Sequence, residues 1–295
     1  MKIQPLNENL IKQQGWDDIY LPGVPEKVHI FRYHSDHNAK NIIVLHTPVI
    51  PVKCCYECYE QLGRVHHFNV FALDYVPGEG ECSGTTRDFS LKAMTQNIDV
   101  AYNYVIRNYS DDTHLLGYTG LGGIFAQYYL GSNPNFRSFS QFACGVYKNT
   151  KPIGVPSPFA RPALALCRLL VHISPSISMS YKPPKAKGYH ADLDNEFYDT
   201  ITNRVPDFFS LKLNHVIRIL ECMTNKDSLL KEPISCPTLL FKTLHDRFFP
   251  KEYFDAYYNS LSCEKQLVEI DDIHNSYFIT PEPFMQRIAD WVNTH

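Results

Sequence analysis

No stretch of the sequence reaches the roughly 18 apolar residues that a membrane-spanning helix needs. The opening MKIQPLNENL has a single Lys and no apolar run, so neither an export signal nor an anchor is expected there. Positive charge is not in excess: 28 Lys and Arg stand against 31 Asp and Glu, a net charge of −3. Such a balance gives no electrostatic reason to bind a phosphate backbone, and nucleic acid is not an expected partner. Internal repeats and low-complexity tracts are lacking. The full G-x-G-x-x-G nucleotide pattern is missing too, and Gly78-Glu79-Gly80 is too short to replace it. Cys54-Cys55-Tyr56-Glu57-Cys58 contains one C-x-x-C, with His66-His67 shortly after. A zinc site wants a second pair at matching spacing, and there is none, so no metal is expected. The nine cysteines are odd in number and dispersed from Cys54 to Cys263. They read as reduced thiols acting as small hydrophobes, in a chain expected to be cytoplasmic.

What the chain does have is a core and a rhythm. Hydrophobic residues make up 44% of 295. Strands are expected at Lys27–Tyr33, Asn41–His46, Asn69–Asp74, Thr113–Tyr118, Ser138–Gly145, Pro237–Lys242 and Gln266–Ile270. The runs IIVL, VFAL and TLLF are continuously apolar, as strands covered on both faces should be. Leu91, Met94, Ile98, Ala101 and Val105 recur at helical spacing, as do Phe284, Ile288 and Trp291. Pro281 makes a good helix start, because a proline at the first turn forfeits only an orphan N–H. This alternation predicts an α/β fold with a mostly parallel central sheet and helices on both faces.

The rhythm breaks between about Lys148 and Glu232. That stretch is proline-rich at its start and then carries helix-like segments at Ala163–Ile173, Asn195–Val205 and Phe208–Met223. An all-helical insertion of this kind is best placed over the C-terminal edge of the sheet, where open α/β sheets bind ligands. The expected division is therefore 1–147 for the first part of the core, 148–232 for a helical cap, and 233–295 for the rest of the core. The apolar run Pro162–Ile173, interrupted by Arg168, suits an acyl tunnel, a membrane surface or a plain packing face.

Three segments could carry chemistry. In His114-Leu115-Leu116-Gly117-Tyr118-Thr119-Gly120-Leu121-Gly122-Gly123 a strand enters a glycine-rich turn and leaves as a helix. That suits a nucleophile elbow, where helix N-terminal amides face developing negative charge, or equally a turn whose glycines merely allow close packing. Asp246 comes a few residues after the TLLF strand, and His274 comes after the last strand. An Asp–His pair has its own use: the carboxylate fixes the tautomer and leaves the other ring nitrogen as a base. Cys144, at the far end of the expected Ser138–Gly145 strand, is a candidate for the pocket or for the core.

In this order of elbow, acid and base the chain resembles the α/β-hydrolase superfamily, most closely the capped branch of monoacylglycerol lipases and lysophospholipases. Ile42–His46 sits where that branch has a strand ending in His-Gly. Val70–Asp74 through Gly78–Gly84 is similar to its Asp…Gly-x-Gly-x-Ser turn, and Asp99 lies in the helix before the elbow. The resemblance covers nearly the whole chain and implies a mostly parallel α/β-hydrolase sheet with a helical cap, with Asp246 as acid and His274 as base.

Two departures stand out. No serine occupies the elbow: aligned from the strand side the nucleophile position falls on Thr119, and from the helix side on Gly120. Further, the residue expected to donate a backbone N–H to the oxyanion is Pro48, which has none. Loss of one such donor costs on the order of 10²–10³ in rate. The Thr47 hydroxyl is the candidate replacement, beside the amides of Gly120 and Leu121. The expected function is hydrolysis of a hydrophobic acyl, ester or thioester small molecule without metal or organic cofactor, with the oligomeric state left open. The alternatives are a lyase, cyclase or isomerase using His274 alone as general base, and an inactive ligand-binding homologue.

Overall fold

A computed structural model of the chain describes residues 7–24, 27–46, 52–74, 90–118, 120–133, 135–142, 156–180, 185–204, 210–224 and 233–295. Helix α1 (Glu8–Gln13) leads into β1 (Trp16–Pro22), β2 (Lys27–Tyr33) and β3 (Asn41–Leu45). A 3-10 turn (Val52–Cys55) and α2 (Tyr56–Arg64) precede β4 (Asn69–Asp74). Next come α3 (Leu91–Asn108), β5 (Thr113–Gly117), α4 (Gly120–Leu130) and β6 (Phe139–Gln141). The insertion then contributes α5 (Ala160–Ile173), β7 (Ser178–Ser180), α6 (Ala191–Arg204), β8 (Ser210–Lys212) and α7 (Leu213–Thr224). The chain closes with β9 (Thr238–His245), α8 (Lys251–Ser260), β10 (Lys265–Ile273), α9 (Ser276–Ile279) and α10 (Glu282–Thr294).

Eight strands form one sheet in the order β1-β2-β4-β3-β5-β6-β9-β10. β2 runs antiparallel to both β1 and β4, and every other neighbouring pair is parallel. The apolar runs fix this geometry because each must be covered on two faces. Ile43 and Leu45 of β3 enter one core with Phe71, Leu73, Met94, Ile98 and Phe125, whereas Ile42 and Val44 enter the other with Val70, Tyr59, Phe284 and Ile288. The period of two along a strand thus sorts one continuous apolar run between two helical layers. Full burial of one such side chain is worth about 1.5–3 kcal/mol relative to exposure.

Helix α3 starts where Ser90 accepts a hydrogen bond from the Ala93 amide at 3.0 Å, and its Leu91, Met94, Ile98, Ala101 and Val105 are all buried, as their spacing predicts. Pro281 caps α10, again as expected. Two expectations need correction. β1 has no counterpart among the expected strands: its two aspartates and terminal proline fit an edge strand rather than a core one. The insertion is not all-helical either. Ser178–Ser180 pairs antiparallel with Ser210–Lys212, so residues 210–212, expected to be helical, form a short strand before α7 begins at Leu213. The described helix α5 packs on α7 through Leu164, Ile217 and Leu220.

Candidate active site

Parallel pairing brings the C-terminal ends of β3, β4, β5 and β9 to one edge of the sheet. β9 extends beyond the expected Lys242 to His245, and Asp246 is the next residue. Its side chain is 1% exposed and receives donors on both oxygens. Oδ1 accepts from the amides of Phe248 and Phe249 at 2.7 and 2.9 Å, and Oδ2 from the Thr243 hydroxyl at 3.2 Å. The last donor is His274, whose Nδ1 lies 2.6 Å from Oδ2. Beside a carboxylate that can only accept, Nδ1 carries the proton and Nε2 keeps its lone pair. Nε2 has no hydrogen-bond partner among the described residues.

A register shift aims this histidine. Ile270 pairs with Thr243 and Ile273 with His245, so Asp271 and Asp272 together oppose Leu244. Such a bulge bends its strand and redirects the residues beyond it, His274 among them. The imidazole then lies against the rings of Phe248 and Phe249, with centroids 5.0 and 5.6 Å away.

The end of β5 belongs to the same edge of the sheet. The Tyr118 amide donates to the Leu45 carbonyl at 2.7 Å, joining the ends of β5 and β3. The Tyr118 ring meets Tyr277 at 5.5 Å and Phe278 at 5.3 Å, and Tyr277 in turn lies 6.3 Å from the His274 ring. Gly120 and Leu121 are the first two residues of α4. Gly122 explains one of the glycines: a Cβ there would stand 2.3 Å from the Leu45 carbonyl oxygen, so only glycine lets α4 close on the end of β3. The ends of β3 and β5 and the start of α4 are therefore in contact. Thr47 and Thr119, like Cys144 and Gly78-Glu79-Gly80, lie outside the described residues.

Under the end of β3 is a second assembly of carboxylates and imidazoles. Buried Asp74 meets His29 Nδ1 at 2.8 Å and His46 Nε2 at 3.1 Å. The second nitrogen of His29 reaches Asp18 at 2.8 Å, and Asp18 also accepts from Lys53 at 2.9 Å. Burial works against the charged forms of Asp74, Asp18 and His29. For Asp74 and Asp18 the opposing donors win and both pKa values fall; for His29 the two carboxylates win and its pKa rises.

Sequence reasoning missed a third cluster. Asp194, on α6 and 3% exposed, accepts from Asn275 Nδ2 at 2.9 Å and pairs with Arg247 Nε at 2.8 Å. One carboxylate of the insertion thus holds the residue after Asp246 and the residue after His274. The Arg247 guanidinium lies over the rings of Tyr198 and Phe248. The only local signal is that Arg247 and Asn275 directly succeed the expected acid and base.

Among the described residues no group of three His, Cys, Asp or Glu is placed to hold a metal ion, and no helix is long and apolar enough to cross a membrane. Burial raises the pKa of the Cys58, Cys222 and Cys236 thiols, the last to about 12, which keeps them neutral.

No protein-family model and no curated protein matches the chain. Solved structures do. A monoacylglycerol lipase from Paleococcus ferrophilus is similar over 90% of this chain and 99% of its own, at 18% identity and a TM-score of 0.66. A thermophilic esterase from Thermogutta terrifontis is similar over 94% and 98%, at 15% identity and a TM-score of 0.66. The α/β hydrolase GrgF from a Penicillium species is similar over 95% and 98%, at 11% identity and a TM-score of 0.70. At such identities the likeness speaks for architecture, and the mostly parallel eight-stranded sheet with helices around it agrees with that. The chain has the α/β-hydrolase fold.

Proposed function

We propose that the protein is an acyl hydrolase acting on an ester or thioester of a hydrophobic small molecule, with His274 as general base. The observation that carries this reading is the pair itself: Asp246 is saturated by donors and fixes Nδ1, while Nε2 has no partner among the described residues. That is the geometry a base needs. Thr119 is the proposed nucleophile. Gly120 is already the first helical residue, which favours the register that presents Thr119 over the one that presents Gly120. The amides of Gly120 and Leu121 are among the orphan N–H groups of a helix start and would face the oxyanion, with the Thr47 hydroxyl beside them.

In the reaction, Nε2 takes the Thr119 hydroxyl proton as the oxygen attacks the acyl carbon. The imidazolium then returns that proton to the leaving alcohol or thiol. A water, deprotonated by the same nitrogen, attacks the acyl-threonine, its C–O bond to Thr119 breaks, and the imidazolium returns the proton to the Thr119 oxygen as the acid is freed. The insertion, 148–232, serves as the cap, and Asp194 holds it against the loops carrying acid and base.

The test is hydrolysis of p-nitrophenyl esters of short and medium chain length. Turnover that disappears in His274→Ala and Thr119→Ala and survives in Thr119→Ser supports the mechanism. Turnover indifferent to His274→Ala rejects it. The absence of an elbow serine favours a second reading, a non-covalent lyase, cyclase or isomerase using His274 alone. That reading gains if a fluorophosphonate probe fails to label the protein while His274-dependent conversion of a substrate persists.

A further inference from the structure

Among the described residues, twelve large hydrophobic side chains are exposed, and six of them fall between Phe159 and Met179. Four are on α5. Helix α5 buries Ala160 and Leu164, with Cys167 and Val171 half-buried on the same side. Its opposite face has a second apolar stripe at positions 162, 166, 169 and 173. Leu166 is 56% exposed, Leu169 55% and Ile173 72%, with Leu170 beside them at 37%. A helix needs one apolar stripe to pack; a second one left in water asks for a partner.

The charge around this helix narrows the choice. Between Asp112 and Asp192 the sequence has eight of the 28 Lys and Arg and none of the 31 Asp and Glu. A chain that is acidic overall therefore has one strongly basic stretch, and α5 lies in it. The face of α5 next to the exposed stripe, with Arg161, Leu164, Ala165 and Arg168, opens on a cavity of about 590 Å³ that Arg218 and Glu221 of α7 also line. Glu221 accepts from Arg168 at 2.8 Å and from Arg218 at 2.7 Å, so two guanidiniums share one carboxylate. Arg161 has no ion pair among the described residues. Neither Asp246 nor His274 lines this cavity.

We propose that α5 docks the protein onto an anionic lipid bilayer, its Leu166–Leu169–Ile173 stripe entering the acyl boundary while Arg161 and its neighbours in the cavity meet lipid phosphate. Aliphatic side chains flanked by arginines, with no acidic residue on the helix, are the composition of an interfacial helix. A nucleic acid would draw on the same charge but would leave the leucines unused. The inference does not depend on the chemistry proposed for His274, because it is read by binding alone.

The full-length protein is tested by co-sedimentation with two vesicle preparations, phosphatidylcholine alone and phosphatidylcholine in which one lipid in three is phosphatidylserine. Binding is expected to the second preparation, and to fall steeply at about 1 M salt, where the Debye length is roughly 3 Å. The double variant Leu166→Glu/Leu169→Glu, whose sites are exposed and whose fold is checked by circular dichroism, is expected to lose at least roughly tenfold in affinity. Arg161→Gln is expected to weaken binding to the serine-lipid vesicles roughly fivefold. Three outcomes overturn the proposal. One is no binding to either vesicle. Another is binding to heparin that the Leu→Glu changes leave intact. The last is a dimer in solution that these changes convert to a monomer, which would give the stripe to a second copy of the chain.

Discussion

Two carboxylate–imidazole assemblies stand at the same edge of the sheet, and they are built to opposite ends. In each, a buried aspartate succeeds or ends a parallel strand and is filled with donors. Around Asp74 it is His29 that is consumed, with both ring nitrogens bonded, to Asp74 and to Asp18, while His46 meets the other oxygen of Asp74. Around Asp246 three of the four donors come from residues within three positions of it, and the histidine gives up one nitrogen only. What separates His274 from His29 is thus the nitrogen that has no partner among the described residues, and the proposed role as base rests on it. The Asp74 assembly joins β2, β4 and the end of β3, whereas the Asp246 pair leaves a lone pair uncommitted.

The comparison breaks most visibly in activity. His274→Ala is expected to lower ester turnover by about 10²–10⁴ and to cost less stability than the loss of Asp74, because the buried Asp246 keeps three of its four donors. A variant that loses stability instead would make His274 another strut.

Asp74→Ala is expected to do the reverse. Removing the shared acceptor leaves two buried imidazoles without their partner, and breaking a buried pair costs about 3–5 kcal/mol. Urea unfolding measures it. A small loss of stability with a large loss of turnover would move Asp74 to the working side.

Asp194 lies between the two cases, since it fixes residues adjacent to the pair without touching either member. Asp194→Asn keeps an acceptor for Asn275 and removes the charge facing Arg247, which is expected to cost about 1.5–3 kcal/mol in unfolding free energy. If Asp194 positions the pair, kcat falls while KM for a short ester holds; a change in KM alone would leave it a cap contact only.

Much of this edge is legible in the sequence, and the reason is local. β2 and β4 have the bounds that their β-branched and aromatic runs predict, and Asp246 and His274 are visible because each comes directly after its own strand. β1 is hidden by Asp17, Asp18 and Pro22, residues that an edge tolerates and a core does not. The bulge at Asp271-Asp272 has no signature of its own, since it exists only relative to β9. The Asp194–Asn275 contact joins residues 81 positions apart, and nothing near either one announces the other. The net charge of −3 conceals the acid-free stretch that surrounds α5, because an average cannot report a distribution.

The finest contrast concerns how buried histidines respond to pH, and it sets the Asp74 assembly against a third site. His114, bonded to Ser138 at 2.8 Å and Asp112 at 3.0 Å, is pushed down to about 4, chiefly by burial. His29 is buried too, yet two carboxylates raise it above the ordinary 6.5. Linkage sets the signs. From pH 6.5 down to about 4 the unfolded chain binds a proton at His114 that the folded one refuses, so stability is lost on acidification. His29 contributes fully below pH 6.5, and its contribution is lost as pH rises through its elevated folded value. Asp74 and Asp18 contribute fully above 3.8 and lose their contribution only as pH falls through their depressed values. As far as these groups decide it, stability peaks near pH 6.5, with an acid limb belonging to His114 and an alkaline limb to His29. Urea midpoints at about pH 5, 6.5 and 8 should therefore show His114→Gln flattening the first limb alone and His29→Gln the second alone. If His29→Gln leaves the alkaline limb in place, the proton is not on His29, and the saturated assembly is held by neutral hydrogen bonds rather than by charge.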